Sequence, residues 1–71
     1  ETLQFQIKEA NKMTAKPLSQ LKLKKGVLIA AIIRKGKTIF PTGEDMLEVG
    51  DKLLVTTLLP NITKIYDLIA R

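Results

Sequence analysis

The side chains best suited to chemistry in this sequence lie in a short basic stretch that follows an apolar run. The cluster combines two isoleucines, three cations and a proline, namely Ile32, Ile33, Arg34, Lys35, Lys37 and Pro41. Isoleucine and proline supply apolar surface, and a guanidinium offers a forked donor for phosphate. The pattern therefore favours a site for an anionic ligand with an apolar or aromatic body. The alternative is a plain solvated hairpin in which Arg34 pairs with a local carboxylate such as Asp51.

The sequence offers few residues suited to catalysis or to metal binding. It contains no His and no Cys, which removes the commonest general base and the commonest zinc ligands. Ser19 has no histidine to activate it, and Tyr66 lies among isoleucines at helical spacing, as is typical of a core position. Glu44 and Asp45 lack the spaced oxygen ligands of a calcium loop, and no glycine-rich nucleotide motif is present. We therefore expect a protein that is not an enzyme, with no catalytic residue, metal site or cofactor site in this domain.

The charge is distributed unevenly along the chain. The net charge is +5; nine basic against two acidic residues give +7 in the first 37 positions, and three against five give −2 in the rest. An electropositive half attracts phosphates or acidic surfaces, although flexible lysines also simply keep a small apolar domain in solution. The chain has no Trp and two Phe, so it lacks the exposed aromatics of RNA-binding sheets and we expect no nucleic-acid partner. A small basic RNA- or ribosome-binding domain is the alternative.

The length of 71 residues predicts a single domain spanning 1–71. A chain of this size buries only about 60% of its unfolded surface, so pairing with a second copy would add useful burial. The longest uncharged apolar run, residues 27–33, is far shorter than the roughly 20 residues of a membrane span. The lack of cysteine suits a reducing cytoplasm. Because the sequence starts at Glu1, directly in a strand pattern, we expect a fragment of a longer protein.

Four segments show patterns typical of β-strands. Residues 2–8 alternate apolar and polar side chains, whereas residues 27–33 form a continuous apolar run, as expected of a strand covered on both faces. Lys35-Gly36 predicts a tight hairpin into a strand over residues 37–40. Gly50-Asp51 predicts a further tight turn into a fourth strand over residues 52–58.

Two prolines mark the starts of predicted helices. Pro17, followed by Leu18 and Leu21, predicts one or two turns after the first strand. Pro60 begins a predicted amphipathic helix of about eleven residues, whose apolar side carries Ile62, Ile65, Tyr66 and Ile69. The expected fold class is therefore α+β: a mainly antiparallel four-stranded sheet in the order β-α-β-β-β-α. The C-terminal helix is expected to pack on the sheet.

Three stretches of the chain closely resemble the TrkA C-terminal domain, also called RCK-C. They are residues 16–23, 27–41 and 47–55, and their most specific parts are the Ala-Ile-x-Arg-x-Gly hairpin, Pro41 and the Gly50-Asp51 turn. The resemblance implies a cytoplasmic regulatory lobe of a potassium-uptake protein. Such lobes normally follow an N-terminal nucleotide-binding domain, which this chain lacks. They form dimers and rings beneath a membrane potassium channel or transporter subunit. Regulation of another cation transporter or antiporter is a close alternative.

The resemblance also implies a ligand site between two paired lobes. Some relatives bind cyclic di-AMP there; by position, Ile32 and Pro41 match their apolar contacts, and Lys24 falls where such relatives carry arginine. Leu28 departs from the pattern, because those relatives place an asparagine there to meet the base, and Ala15 stands where glycine is common. Without that asparagine the base edge loses a hydrogen-bonding partner. Cyclic di-AMP, another small anion or no ligand at all remain open from the sequence.

Overall fold

Four strands form one antiparallel sheet in the computed structural model, which describes residues 2–70. They are β1 (Thr2–Gln6), β2 (Val27–Arg34), β3 (Lys37–Ile39) and β4 (Lys52–Thr57). The strand order is β1-β4-β2-β3, and each neighbouring pair is antiparallel. The predicted four-stranded antiparallel sheet is therefore confirmed, with the apolar strand β2 in its interior.

The inner face of the sheet carries the core. Leu53 of β4 lies opposite Phe5 of β1 on one side and Ile32 of β2 on the other, and Ile32 in turn lies opposite Ile39. These apolar side chains share a face because alternate residues of a strand point the same way. The buried apolar cluster consists of Ile7, Met13, Ile29, Ile32, Leu47, Leu53, Val55 and Leu68.

An irregularity in β2 sets which of its residues face the core. Ile29 lies opposite Val55, but Ala31 lies opposite Leu54, so Ala30 is an extra residue in the ladder. This bulge shifts the alternation by one position. Ile29 and Ile32 consequently both reach the inner face, although three positions separate them.

The hairpin between β2 and β3 has the predicted two-residue connection. Arg34 pairs with Lys37, and the intervening Lys35 and Gly36 have φ values of 51° and 77°. Two consecutive positive φ values define a type I′ turn, whose twist matches that of the flanking strands. The predicted tight hairpin is confirmed.

The predicted helices differ from what the structure contains. Within residues 2–70 the helical segments are three 3₁₀ turns, at Lys12–Thr14, Leu18–Gln20 and Ile65–Leu68. The segment after Pro17 is thus a single 3₁₀ turn, and the prediction of a C-terminal α-helix of about eleven residues is wrong. No helical segment of the described chain is long and apolar enough to cross a membrane.

The C-terminal segment is extended because its backbone finds partners outside a helix. Asn61 has a φ of 64°, which is incompatible with helix propagation from Pro60. Beyond the 3₁₀ turn, Ile69 pairs antiparallel with Leu23. The Lys24 amide donates to the Leu68 carbonyl at 2.9 Å, and the Ala70 amide donates to the carbonyl of Lys22. Leu68 is thereby buried in the core.

Candidate functional site

A two-pronged ion pair joins the end of β2 to the start of β4. Arg34 is the last residue of β2, and Asp51 directly precedes β4. The Arg34 Nε donates to Asp51 Oδ1 at 2.9 Å, and Nη2 donates to Oδ2 at 2.8 Å. Only 1% of the Asp51 surface is exposed. The alternative in which Arg34 pairs with Asp51 is therefore confirmed.

The remaining guanidinium contacts come from the turn between residues 46 and 51. Nη2 also donates to the Met46 carbonyl at 2.9 Å, and Nη1 lies 3.0 Å from Glu48 Oε2. The Glu48 amide in turn donates to Asp51 Oδ2 at 2.8 Å. All three guanidinium nitrogens are thus engaged within the chain, so Arg34 fixes this turn against the sheet.

The same contacts govern the ionisation of the pair. Burial by itself would raise the pKa of Asp51, but hydrogen bonds from Arg34 and the Glu48 amide, together with the Arg34 charge, leave it below its ordinary value. The hydrogen bond to Asp51 is the main reason that the pKa of Arg34 is raised. The pair is therefore fully ionised at neutral pH.

Sequence reasoning missed Met46 and Glu48 as partners of Arg34. The available signal was the Gly50-Asp51 turn, which the structure confirms: the Asp51 amide donates to the Glu48 carbonyl at 3.0 Å, and Gly50 has a φ of 96°. A turn that returns Asp51 to Glu48 places both carboxylates on the same side of the chain.

The predicted ligand residues occupy different parts of the molecule. Ile32 is 0% exposed on the inner face, which leaves none of its surface for a ligand in this conformation. Ile33 lies on the outer face between Thr38 and Lys52, and is partly exposed. Pro41 is partly exposed just beyond β3.

Lys24 and Arg34 lie at opposite ends of β2. Lys24 precedes the first residue of β2, Val27, and Arg34 is its last. At about 3.3 Å per residue, the strand alone separates the two ends by roughly 23 Å. A single copy therefore does not bring Lys24 and Arg34 into one small-molecule site.

The outer face of the sheet carries an uncovered apolar surface. We call Leu28, Ile33 and Leu54 the outer patch; the first two belong to β2 and the last to β4. Leu54 lies opposite Ala31 in the register, and Leu28 is 62% exposed. The apolar run predicts a strand covered on both faces; within the described chain Leu28 and Ile33 of the outer face stay exposed or partly exposed, whereas Ala31 is buried.

No arrangement suited to metal binding accompanies these features. Among residues 2–70, no three Asp or Glu side chains converge on a point where they could hold a metal ion. The two ion pairs of this part of the chain both belong to Arg34. The geometry thus provides a rigid turn and an apolar face.

Comparison with known proteins identifies relatives over most of this chain. Two Trk system potassium uptake proteins of Methanosarcina mazei, TrkA homolog 1 and TrkA homolog 2, are 29% and 28% identical over 58 residues. The match covers 82% of this chain but only 13% of each relative. The chain is thus similar to a small part of each of these larger proteins.

A solved structure and a family model agree with this similarity. The structure, described as an RCK domain with cda, has a TM-score of 0.68 and 27% identity, and the match covers 78% of this chain and 77% of that one. The model of the TrkA-C domain matches residues 3–70, which is nearly all of the sequence. The chain therefore belongs to the TrkA-C domain family.

Proposed function

We propose that this chain is a non-catalytic regulatory domain of a Trk-type potassium-uptake protein. Its family and the names of its relatives support this assignment. In this proposal the domain acts in the cytoplasm and reaches the inner face of the membrane through a potassium channel or transporter subunit. The observation that carries the proposal is the outer patch, because an exposed apolar sheet face suits association rather than chemistry.

The partner of the outer patch is a second copy of the same chain. Leu28 is 62% exposed in a strand whose residues before the terminal Arg34 are all apolar. A two-fold interface buries the same patch on both copies, and a small domain gains needed apolar burial from it. The chain is small, so such an interface adds a large fraction to its limited core.

Ligand sensing in this proposal requires both copies. If the two-fold axis runs across β2, the Lys24 end of one copy lies over the Ile33 end of the other. Ile33, Pro41 and Lys24 then surround one cleft, although a single copy keeps Lys24 far from the others. A symmetric dinucleotide such as cyclic di-AMP fits the symmetry of that cleft. A ligand that binds one arrangement of the two copies better than another shifts the equilibrium between the arrangements. The coupling free energy is typically about 1 to 3 kcal/mol.

Sedimentation of paired variants tests the association. At micromolar concentration we expect the unmodified chain to sediment at twice the chain mass and Leu28→Gln to sediment as a monomer. Val49→Gln is the matched control, since Val49 is 56% exposed but lies in the turn before β4, and it should remain dimeric. A monomeric unmodified chain, or equal dissociation by both variants, would refute pairing through the outer patch.

Transport measurements on the full-length protein test the regulatory role. Rubidium uptake should lose its dependence on the regulator when Leu28→Gln is introduced, and should keep it with Val49→Gln. Calorimetric titration of the unmodified chain and of Lys24→Gln with cyclic di-AMP tests whether the domain binds this dinucleotide and whether Lys24 contributes to its affinity. Unchanged uptake with Leu28→Gln would argue against the regulatory role. Sodium-proton exchange that changes in place of rubidium uptake would assign the domain to an antiporter.

A further inference from the structure

A groove lies where the C-terminal segment crosses the loop that follows β1. Two adjoining cavities of about 560 and 440 Å³ share Lys12, Ile69 and Ala70 in their walls. Ile69 is held there by its antiparallel bridge to Leu23. The groove is thus bordered by the end of the 3₁₀ turn and by Ile69 and Ala70, which follow it in an extended conformation. None of Lys24, Ile33, Arg34 or Pro41 lines it.

The walls of this groove carry positive charge, and none of the described carboxylates forms an ion pair with it. Lys12, Lys16 and Lys22 line it, and no Asp or Glu does. The ion pairs among residues 2–70 both involve Arg34, so no described carboxylate lies within salt-bridge distance of these three lysines. Three uncompensated ammonium groups around one depression attract a ligand that carries several negative charges.

The floor and rim of the groove are suited to an organic group. Ile69, Ala70 and Leu21 provide apolar surface, and the Tyr66 ring stands at one end with 52% of its surface exposed. Gln20 adds an amide at the opposite end. A phenol ring stacks on planar bases, and an amide can hydrogen-bond to their edges. Cavities of 300 to 1,000 Å³ are typical of sites for small organic ligands.

We propose that this basic groove binds a nucleoside diphosphate. Lys12, Lys16 and Lys22 contact the phosphates, and Tyr66 stacks on the base. Lysine ammonium groups bind phosphate as point charges. The proposal concerns a surface separate from the outer patch, so it stands or falls independently of pairing through that patch.

Calorimetric titration with ADP, supported by amide chemical shifts of the labelled chain, tests the proposal. The triple variant Lys12→Gln, Lys16→Gln, Lys22→Gln should bind ADP about tenfold or more weakly, because charge-assisted hydrogen bonds are lost. The matched control Lys8→Gln, Lys25→Gln, Lys52→Gln makes the same change in net charge at exposed positions outside the groove. At physiological salt the control should weaken binding by less than about twofold, because distant exposed charges are screened.

Two further probes separate the base from the phosphates. Tyr66→Leu should weaken the binding of ADP but leave the binding of inorganic pyrophosphate unchanged. The amide chemical-shift changes that ADP causes should concentrate at residues 12–22 and 66–70. Equal weakening by the two triple variants would overturn the proposal, as would ADP binding no tighter than pyrophosphate. Tighter binding of an acidic peptide than of ADP would also overturn it. Unchanged thermal unfolding of each variant ensures that lost binding is not lost folding.

Discussion

Arg34 and the buried Asp51 form a two-pronged ion pair that ties the last residue of β2 to the turn before β4, with donor-acceptor distances of 2.9 and 2.8 Å. Both lie on the inner side of the sheet, next to the outward pair of Ile33 and Lys52. The Glu48 amide adds a third hydrogen bond to Asp51. The arginine that the sequence offers as a phosphate donor thus serves mainly to hold a turn.

Removing the charge of Asp51 should destabilise the domain strongly. Asp51→Asn removes the negative charge opposite the Arg34 guanidinium and replaces one acceptor oxygen by an NH2 donor, and breaking a pair of this kind typically costs about 3 to 5 kcal/mol. Because the Arg34 side chain is 25% exposed and can regain water, we expect a loss of about 2 to 3 kcal/mol in urea unfolding. Glu44→Gln, at an exposed turn position, should change stability by less than about 0.5 kcal/mol. Similar losses in the two variants would contradict the role assigned to the pair.

The stability of the domain should fall in acid. The pKa of Asp51 is lowered in the folded state, so its stabilising contribution is present above the unfolded pKa of about 3.9 and is lost as the pH falls through the folded value. Asp67, whose pKa is also lowered, acts in the same direction. The free energy of unfolding, measured with urea, should therefore decrease as the pH is lowered from neutral to below about 4. The decrease should be smaller for Asp51→Asn. Identical pH profiles for the two proteins would rule out this linkage.

Adjacent isoleucines of β2 should respond differently to truncation. Ile32→Ala removes a fully buried side chain and should cost about 2 to 4 kcal/mol through lost burial and the cavity left behind. Ile33→Ala, on the partly exposed outer face, should cost the monomer roughly 1 kcal/mol. Denaturant unfolding at low protein concentration compares them without a contribution from pairing. A larger cost for Ile33 than for Ile32 would mean that the outer face is already covered in the monomer.

The β2–β3 hairpin offers a stabilising substitution. Lys35 has a φ of 51°, a conformation that asparagine adopts more readily than lysine, and Asn-Gly is the preferred pair in type I′ turns. We expect Lys35→Asn to raise the free energy of unfolding by about 0.5 to 1 kcal/mol. Lys37→Asn, in the extended strand β3, should not stabilise the domain. Thermal or urea unfolding of both variants measures the difference, and stabilisation by both would point to charge rather than turn conformation.

Asp67 should control the local order of the C-terminal segment. Its Oδ2 accepts hydrogen bonds from the Thr63 amide at 3.0 Å and the Lys64 amide at 2.9 Å. Asp67→Ala removes the shared acceptor of both amides, so these amides should exchange with solvent faster, and the Ala70 amide, bonded to Lys22, should follow as the turn loosens. Hydrogen exchange by NMR measures each site. Unchanged exchange at Thr63 and Lys64 would show that water replaces the carboxylate without loss of order.

Local patterns in the sequence predict much of the sheet correctly. The alternation of Leu3 and Phe5 places β1 with one face on the core, and the apolar run at 27–33 places β2 inside the sheet. Lys35-Gly36 predicts the hairpin, since a two-residue turn with Gly restricts the backbone choices of its neighbours. These features follow from side-chain alternation and turn chemistry, which act over a few residues. The sequence by itself therefore determined the number of strands, their antiparallel pairing and the family.

Contacts between residues that are distant in the sequence decided the features that local patterns do not predict. The spacing of Ile62, Ile65 and Ile69 fits a helical face, but the backbone of residues 22–24 pairs with the end of this segment and holds Ile69 and Ala70 extended. Whether Arg34 would face solvent or Asp51 depended on the strand order, which sets β2 against β4. Helical spacing is a local preference of small energy, whereas burial of Leu68 and ladder hydrogen bonds depend on a tertiary partner. Only the tertiary structure could therefore decide the ion pair, the extended C-terminal segment and the basic groove that it borders.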